Sequence, residues 1–435
     1  MIKQHEFAQR RQRLMDMMGG GSIAIVPASP VRSRNRDVDY TYRPDSDFYY
    51  LTGFAEPEAV MVLLPEREQG QYILFCRERD IEHEQWHGRR AGLEGACELY
   101  GADDAFPIDD MDEIMQGLLE CCDQLYYAMG VHPDFDHHVL DWLNQLREKG
   151  RKGINVPKEI ITLDHILHEM RLFKSSTELG VMQHVADLSA EAHRRAMQIC
   201  RPDMYEYELD AAIMHEFMRH GCRHAAYPSI VGSGENACIL HYIENNRQMQ
   251  DGDLVLIDAG GEFDSYAADI TRTFPVNGRF SPEQREIYTI VLAAQKAAIA
   301  ASVAGANWDA PHQAATKTII EGLQSLGILI GKYDDIYEEG SYRRFYMHRT
   351  GHWLGMDVHD VGDYKVDNEW RTLEKGMVMT IEPGIYIPQA EDIDPRWWNI
   401  GIRIEDDVAF TDKGLHILTA DAPKEIADIE QLMSQ

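Results

Sequence analysis

Positive charge is scarce in this chain. Lys and Arg number 42 against 73 Asp and Glu, a formal charge of −31. So acidic a chain is a poor partner for a phosphate backbone or an anionic lipid surface, and nucleic acid and membrane are set aside as partners. Cysteine is sparse as well. There are seven, an odd number, with no CxxC spacing and with Cys121 and Cys122 adjacent. That pattern gives no disulfide framework, and free thiols in a reducing cytoplasm are expected. Long apolar runs are missing. The stretch 290–306 is interrupted by Gln295 and Lys296 and is too short to span a bilayer. Residues 1–12 are charged and lack the apolar segment of a secretory leader.

What is present is a globular composition, 44% hydrophobic and 26% charged over 435 residues, enough for two or three domains. A helical pattern over 3–18 is stopped by Gly19, Gly20 and Gly21. Apolar runs at 22–26, 59–64 and 72–76 then alternate with helical patterns near 110–122 and 134–149. Such alternation predicts a mixed α/β domain, residues 1–172. The remainder, 173–435, reads as a weak internal duplication. Ser175–Glu178 and Ser281–Gln284 both have capping-box form, the second with Pro282 at the first helical position. Each box opens about forty residues of helical pattern, broken by turn residues at 201–203 and 305–307, and each gives way to strands, at 224–275 and 345–411. A helix pair plus strands used twice implies two similar halves that can enclose one site.

Five residues in the two strand-rich segments carry the chemistry. The apolar run 254–257 leads into Asp258, a glycine turn follows, and Asp269 precedes the β-branched run to Thr273. This reads as a hairpin with both acids on paired strands, facing each other. Later, the run 377–381 leads into Glu382, and alternation through 400–405 places Arg403 and Glu405 on one face. His352 lies between Gly351 and Gly355. Four carboxylates in an apolar setting repel one another, so either they protonate or cations neutralise them. Two divalent metals match four negative charges and can hold and activate a hydroxide for amide or ester hydrolysis. Oxygen donors with one imidazole suit Mn²⁺, Co²⁺, Fe²⁺ or Zn²⁺.

The stretches 257–260, 268–274, 348–362, 381–386 and 401–407, in that order, resemble the pita-bread metallopeptidases, and among them most closely the Xaa-Pro aminopeptidase (aminopeptidase P) family. The resemblance covers almost the whole chain. It implies a ribonuclease H-like N-terminal α/β domain ahead of a pita-bread domain with a curved antiparallel sheet. It implies release of the first residue from peptides with proline second, by attack of a dimetal-activated hydroxide. Asp258 then holds one metal, Asp269 and Glu405 bridge two, and His352 and Glu382 complete the set, with Mn²⁺ the expected ion. Glu382 would also relay a proton to the leaving nitrogen. By the same resemblance His241 and His359 contact substrate near the scissile bond, and His348 walls a proline pocket. Arg403 either holds a ligand carboxylate or polarises substrate, and Tyr386 resembles the family's tyrosine near the substrate. Arg151 and Trp86 are further substrate contacts, Trp86 from the smaller domain or a neighbouring subunit. A homo-oligomer, tetramer or dimer, is expected. Glu391, Asp392 and Asp394 lie in the segment 389–399 and could attract a substrate's amino terminus. Prolidase, which cuts only Xaa-Pro dipeptides and in some relatives hydrolyses organophosphates, shares the ligands and is the alternative. Intact ligands argue against creatinase-like hydrolases and against a non-catalytic binding module on the same fold. The large N-terminal domain argues against methionine aminopeptidase.

Overall fold

The computed structural model describes residues 2–120, 122–152 and 154–434, the side chains of 151 and 152 excepted. The chain forms two compact units, Met1–Met170 and Arg171–Gln435. In the first, six strands form one mixed sheet in the order Asp104–Pro107, Tyr72–Cys76, Val60–Leu63, Ser22–Pro27, Gln124–Tyr126, Glu159–Ile161. Its central pairings are antiparallel and its outer ones parallel. The three central strands are buried along their whole length. Burial on both faces explains why they read as continuous apolar runs rather than as alternation. Helices Met111–Leu119 and Pro133–Glu148 cover the sheet with Met115, Leu119, Trp142 and Leu146. All the described cysteines are free thiols, and no helix among the described residues is long and apolar enough to cross a membrane.

In the second unit both capping boxes close. Ser175 and Glu178 start helix Ser176–Ile199, and Ser281 and Gln284 start helix Pro282–Ala301. Partner helices Glu206–Arg219 and Ala310–Ser325 follow the two turns. Strands Ile230–Ser233, Leu254–Asp258 and Thr271–Pro275 make one antiparallel sheet, with Asp258 opposite both Ile230 and Thr271. Strands Val378–Ile381, Asp406–Thr411 and Gly414–Ile417 make another, and Gly384–Ile387 pairs with Ile400–Arg403.

Two local expectations are corrected. Asp269 is not on a strand. Between the paired strands, Gly261–Phe263 and Tyr266–Ala267 form their own small hairpin, turned by Asp264 and Ser265 at φ 53° and 63°. Two successive residues at positive φ suit a tight hairpin turn, and the chain returns through an irregular stretch that carries Asp269. The strand through 400–405 also breaks after Arg403. There the Ile404 amide turns to the Pro383 carbonyl and the Glu405 amide to that of Thr271, at 3.3 and 3.0 Å.

Backbones approach closely at these turns. A Cβ at Gly260 would stand 1.7 Å from the Ala268 carbonyl oxygen, and one at Gly351 2.0 Å from that of Thr380. Gly180, by contrast, sits exposed inside a helix with open space where its Cβ would go. Gly260→Ala is therefore expected to destabilise the protein by about 1–3 kcal/mol through overpacking. Gly180→Ala is expected to stabilise it by about 0.5–1 kcal/mol. Denaturant midpoints of the two variants check the opposite signs.

Candidate active site

The strand ends of both halves converge on one cavity of about 1060 Å³ in the second unit. Asp258 reaches it from the end of its strand and Asp269 from the irregular return. The Tyr227 hydroxyl lies between them, 2.6 Å from Asp258 Oδ1 and 2.5 Å from Asp269 Oδ1. Asp269 is held from behind, because its amide donates to Asp407 Oδ2 at 3.0 Å. Glu405 follows the break after Arg403, and its Oε2 accepts from Thr271 Oγ1 at 2.7 Å.

Residues 350–352 run along the adjoining strand. The Thr380 amide donates to the His352 carbonyl and the His352 amide to Thr380 Oγ1, an approach that Gly351 permits. His352 Nδ1 donates to the Trp353 carbonyl at 2.9 Å, which turns Nε2 toward the acids. That nitrogen stands 3.4 Å from Asp269 Oδ2 and 3.7 Å from Glu382 Oε1. A second-neighbour hydrogen bond that fixes the ring in this tautomer is the usual preparation for a metal ligand.

Arg403 is nearly enclosed. It donates to Asp258 Oδ2 at 2.5 Å, Thr271 Oγ1 at 3.0 Å and the Tyr386 hydroxyl at 3.0 Å. His348 Nε2 accepts from that hydroxyl at 2.9 Å, while its Nδ1 donates to the Arg349 carbonyl. Burial, then the Arg403 charge, pushes His348 down to about 3, so its ring is neutral. His359 packs edge-on to His352 with ring centres 4.4 Å apart, and burial lowers its pKa. His241 lines the same cavity. Trp308 and Tyr364 line part of the wall, and the buried Trp353 packs against both. The two indoles are 4.2 Å apart between ring centres, and Trp353 lies parallel to Tyr364.

The donor set fits divalent metal. Donor atoms of Asp269, His352 and Glu405 lie within 4.8 Å of one another. Burial, followed by the charge of neighbouring acids, raises Asp269 and Glu405 well above the ordinary carboxylate range. The same causes lift Glu382 to about 8. Among the described residues, Arg403, bonded to Asp258, is the one Lys or Arg whose side chain bonds any of Asp258, Asp269, Glu382 and Glu405. The cluster thus has strong need of further positive charge, and oxygen donors with one imidazole suit hard or borderline ions.

The structure brings Asp258, Asp269, His352, Glu382, Glu405, Arg403, His241, His348, His359 and Tyr386 together, the last as a buried neighbour of Arg403 and His348. Trp86 stands on helix Ile81–His87 of the first unit, 83% exposed, and the Arg151 side chain lies outside the described residues. The acids of 389–399 are not in the cavity wall. Asp392 is instead bound to Arg344 at 2.7 Å, which holds its carboxyl at about 2. Asp394 caps the short turn Pro395–Trp397. Tyr227 and Asp407 were missed. Tyr227 sits in an aperiodic loop and offers no sequence signal. Asp407 belongs to the visible run Glu405-Asp406-Asp407, where a mid-strand acid could have been flagged.

Comparison with known proteins agrees with this geometry. Residues 180–412 match the model of metallopeptidase family M24, and residues 7–126 match that of the aminopeptidase P N-terminal domain. The chain is 45% identical over 433 residues to Xaa-Pro aminopeptidase of Escherichia coli K12, covering 99% of this chain and 98% of that protein. It is 55% identical to the solved structure of Pseudomonas aeruginosa aminopeptidase PepP, with a TM-score of 0.99 and 100% and 98% of the two chains covered. For proline aminopeptidase P II from Yersinia pestis the values are 47%, 0.97 and all of both chains. The chain belongs to metallopeptidase family M24. Within it, the matching N-terminal domain places the chain in the aminopeptidase P branch, a metallopeptidase with the mixed α/β and pita-bread architecture expected from the sequence.

Two outcomes follow from the site's surroundings. Tyr227→Phe removes the hydroxyl shared by Asp258 and Asp269, and is expected to weaken Mn²⁺ binding by about 10–100-fold; calorimetric titration of metal-stripped protein measures it. Asp406, next to Glu405, is fully buried. Burial drives its carboxyl up, but Arg272 and Lys424 outweigh that and hold it at about 2. A folded pKa below the unfolded value of about 3.9 contributes stability above pH ~4, and that contribution is lost as pH falls toward 2. Melting temperatures between pH 5 and pH 2 are thus expected to fall less steeply for Asp406→Asn than for the parent, from a lower start.

Proposed function

We propose that this chain is an aminopeptidase that releases the first residue from peptides with proline in second position. The observation that carries the reading is four carboxylates and one imidazole gathered at a single cavity, with a neutral His348 and a buried Tyr386 beside them. Asp258, Asp269, His352, Glu382 and Glu405 hold two divalent ions, Mn²⁺ in our reading. When bound, such a pair polarises the scissile carbonyl and makes water a competent nucleophile at neutral pH.

The chain's own groups do the rest. His241 and His359 lie on the cavity wall, where an N–H can donate to the carbonyl oxygen as negative charge develops on it. The nitrogen ahead of proline carries no hydrogen and must gain a proton as it leaves. Glu382, which lines the cavity, takes a proton from the attacking water and hands it to that nitrogen. Arg403 fixes Asp258 and, through Tyr386, the face of His348 that meets the proline ring. A free substrate amino terminus would sit at one metal, which would explain exo-cleavage. A cavity of about 1060 Å³ has room beyond a dipeptide, which favours this reading over prolidase. Arg151 is a further candidate for substrate contact, as is the exposed Trp86 indole, in this chain or from a second copy, and a homo-oligomer in the cytoplasm completes the proposal.

The test compares an Arg-Pro-Pro tripeptide with Xaa-Pro dipeptides after EDTA treatment and Mn²⁺ return. Metal-dependent release of arginine from the tripeptide is expected. Cleavage confined to dipeptides would make the chain a prolidase, and no metal-dependent cleavage of either would overturn the proposal. Glu382→Gln is expected to lower kcat by about 10²–10⁴-fold with the melting temperature retained.

A further inference from the structure

Unlike His348 and His352, His241 has no hydrogen bond from its ring to any described residue, so its place depends on the backbone that carries it. That backbone is the loop 234–247, which has little regular structure beyond the turn Gly234–Cys238. It presents Leu240, His241 and Ile243 to the cavity, and Ile239 and Ile243 are more than half exposed. Such a segment does not hold itself by burial.

Its anchor lies outside the cavity. Glu206, the first residue of helix Glu206–Arg219, has no exposed surface. Its Oε1 accepts from the Ser233 amide and hydroxyl, both at 2.7 Å, and from Asn236 Nδ2 at 3.3 Å. Its Oε2 accepts from the Tyr242 hydroxyl at 2.8 Å and the Arg247 amide at 2.9 Å. One carboxylate thus binds the loop at its start, near its middle and at its end. The Glu206 amide also donates to the Arg247 carbonyl at 3.0 Å. Tyr242 follows His241 directly, and its ring packs with Ile230, Leu256 and Tyr386. The loop is further pressed onto the strand that bears Arg403, since a Cβ at Gly401 would stand 2.1 Å from the Ala237 carbonyl oxygen.

We propose that Glu206 is the positioning residue for His241. All five bonds to its carboxylate come from the loop or from Ser233 just ahead of it, and they fix the wall of the cavity that carries His241. The inference rests on the function proposed above for the assay only; the ordering of the loop is a separate claim. Glu206→Gln keeps the shape but turns one acceptor oxygen into a donor amide, which then faces N–H or O–H donors on whichever side it lies.

The experiment is a double-mutant cycle on the full-length, Mn²⁺-loaded enzyme with a Xaa-Pro tripeptide. Glu206→Gln is expected to lower kcat/KM about tenfold in the parent and in His348→Ala, and less than about twofold in His241→Ala. An equal loss in all three backgrounds, or none in the parent, would overturn the proposal. Amide hydrogen exchange over 234–247 is measured in parallel, without substrate. Glu206→Gln is expected to speed it about tenfold there and not in helix Pro282–Ala301, and unchanged exchange would overturn the proposal even if the parent cleaves no Xaa-Pro peptide. Should Glu206→Gln fail to fold, Tyr242→Phe removes one of the five bonds and is expected to show the same pattern with smaller size.

Discussion

Like charges brought together away from water are the constraint on which the second unit depends. Asp258, Asp269, Glu382 and Glu405 come from four separate chain segments, and their mutual repulsion would push those segments apart. The fold answers with rigid attachments rather than with many cations. Thr271 and Tyr227 donate to the acids, Arg403 spans Asp258 and Tyr386, and Asp407 holds the Asp269 amide. Behind them Arg272 and Lys424 grip Asp406 in full burial. Stability and the capacity for metal come from the same scaffold, because a cluster held this firmly gains most when positive charge enters it.

Much of this was readable in the sequence because it is local. The capping boxes at Ser175 and Ser281 are four-residue signals, and both closed as written. The apolar strands that deliver Asp258 and Glu382 announce themselves by hydrophobicity. What could not be read depends on contacts between distant segments. Asp269 looked like a strand residue because β-branched residues follow it, and only the inserted hairpin at 261–267 shows otherwise. Tyr227 is an ordinary loop residue until the fold places its hydroxyl between two acids 31 and 42 positions away. The acids of 389–399 looked available to a ligand, and Arg344, 48 positions before Asp392, claims that one.

The two halves divide the work unequally. The first supplies Asp258, Asp269 and the loop of His241. The second supplies His348, His352, His359, Glu382, Arg403 and Glu405. The loop of the first half is held by a helix-terminal carboxylate, whereas the segments of the second are held by strand pairing and by close approaches at glycine.

The aromatic cluster of Trp308, Trp353 and Tyr364 has an optical consequence. Trp308 and Trp353 are almost wholly buried with ring centres 4.2 Å apart, and Tyr364 lies parallel to Trp353. Chromophores so close and so fixed couple to one another, and their rigid, asymmetric surroundings make them optically active. The packing beside His352 therefore contributes a chiral optical signal that belongs to the unmodified protein and needs no substrate.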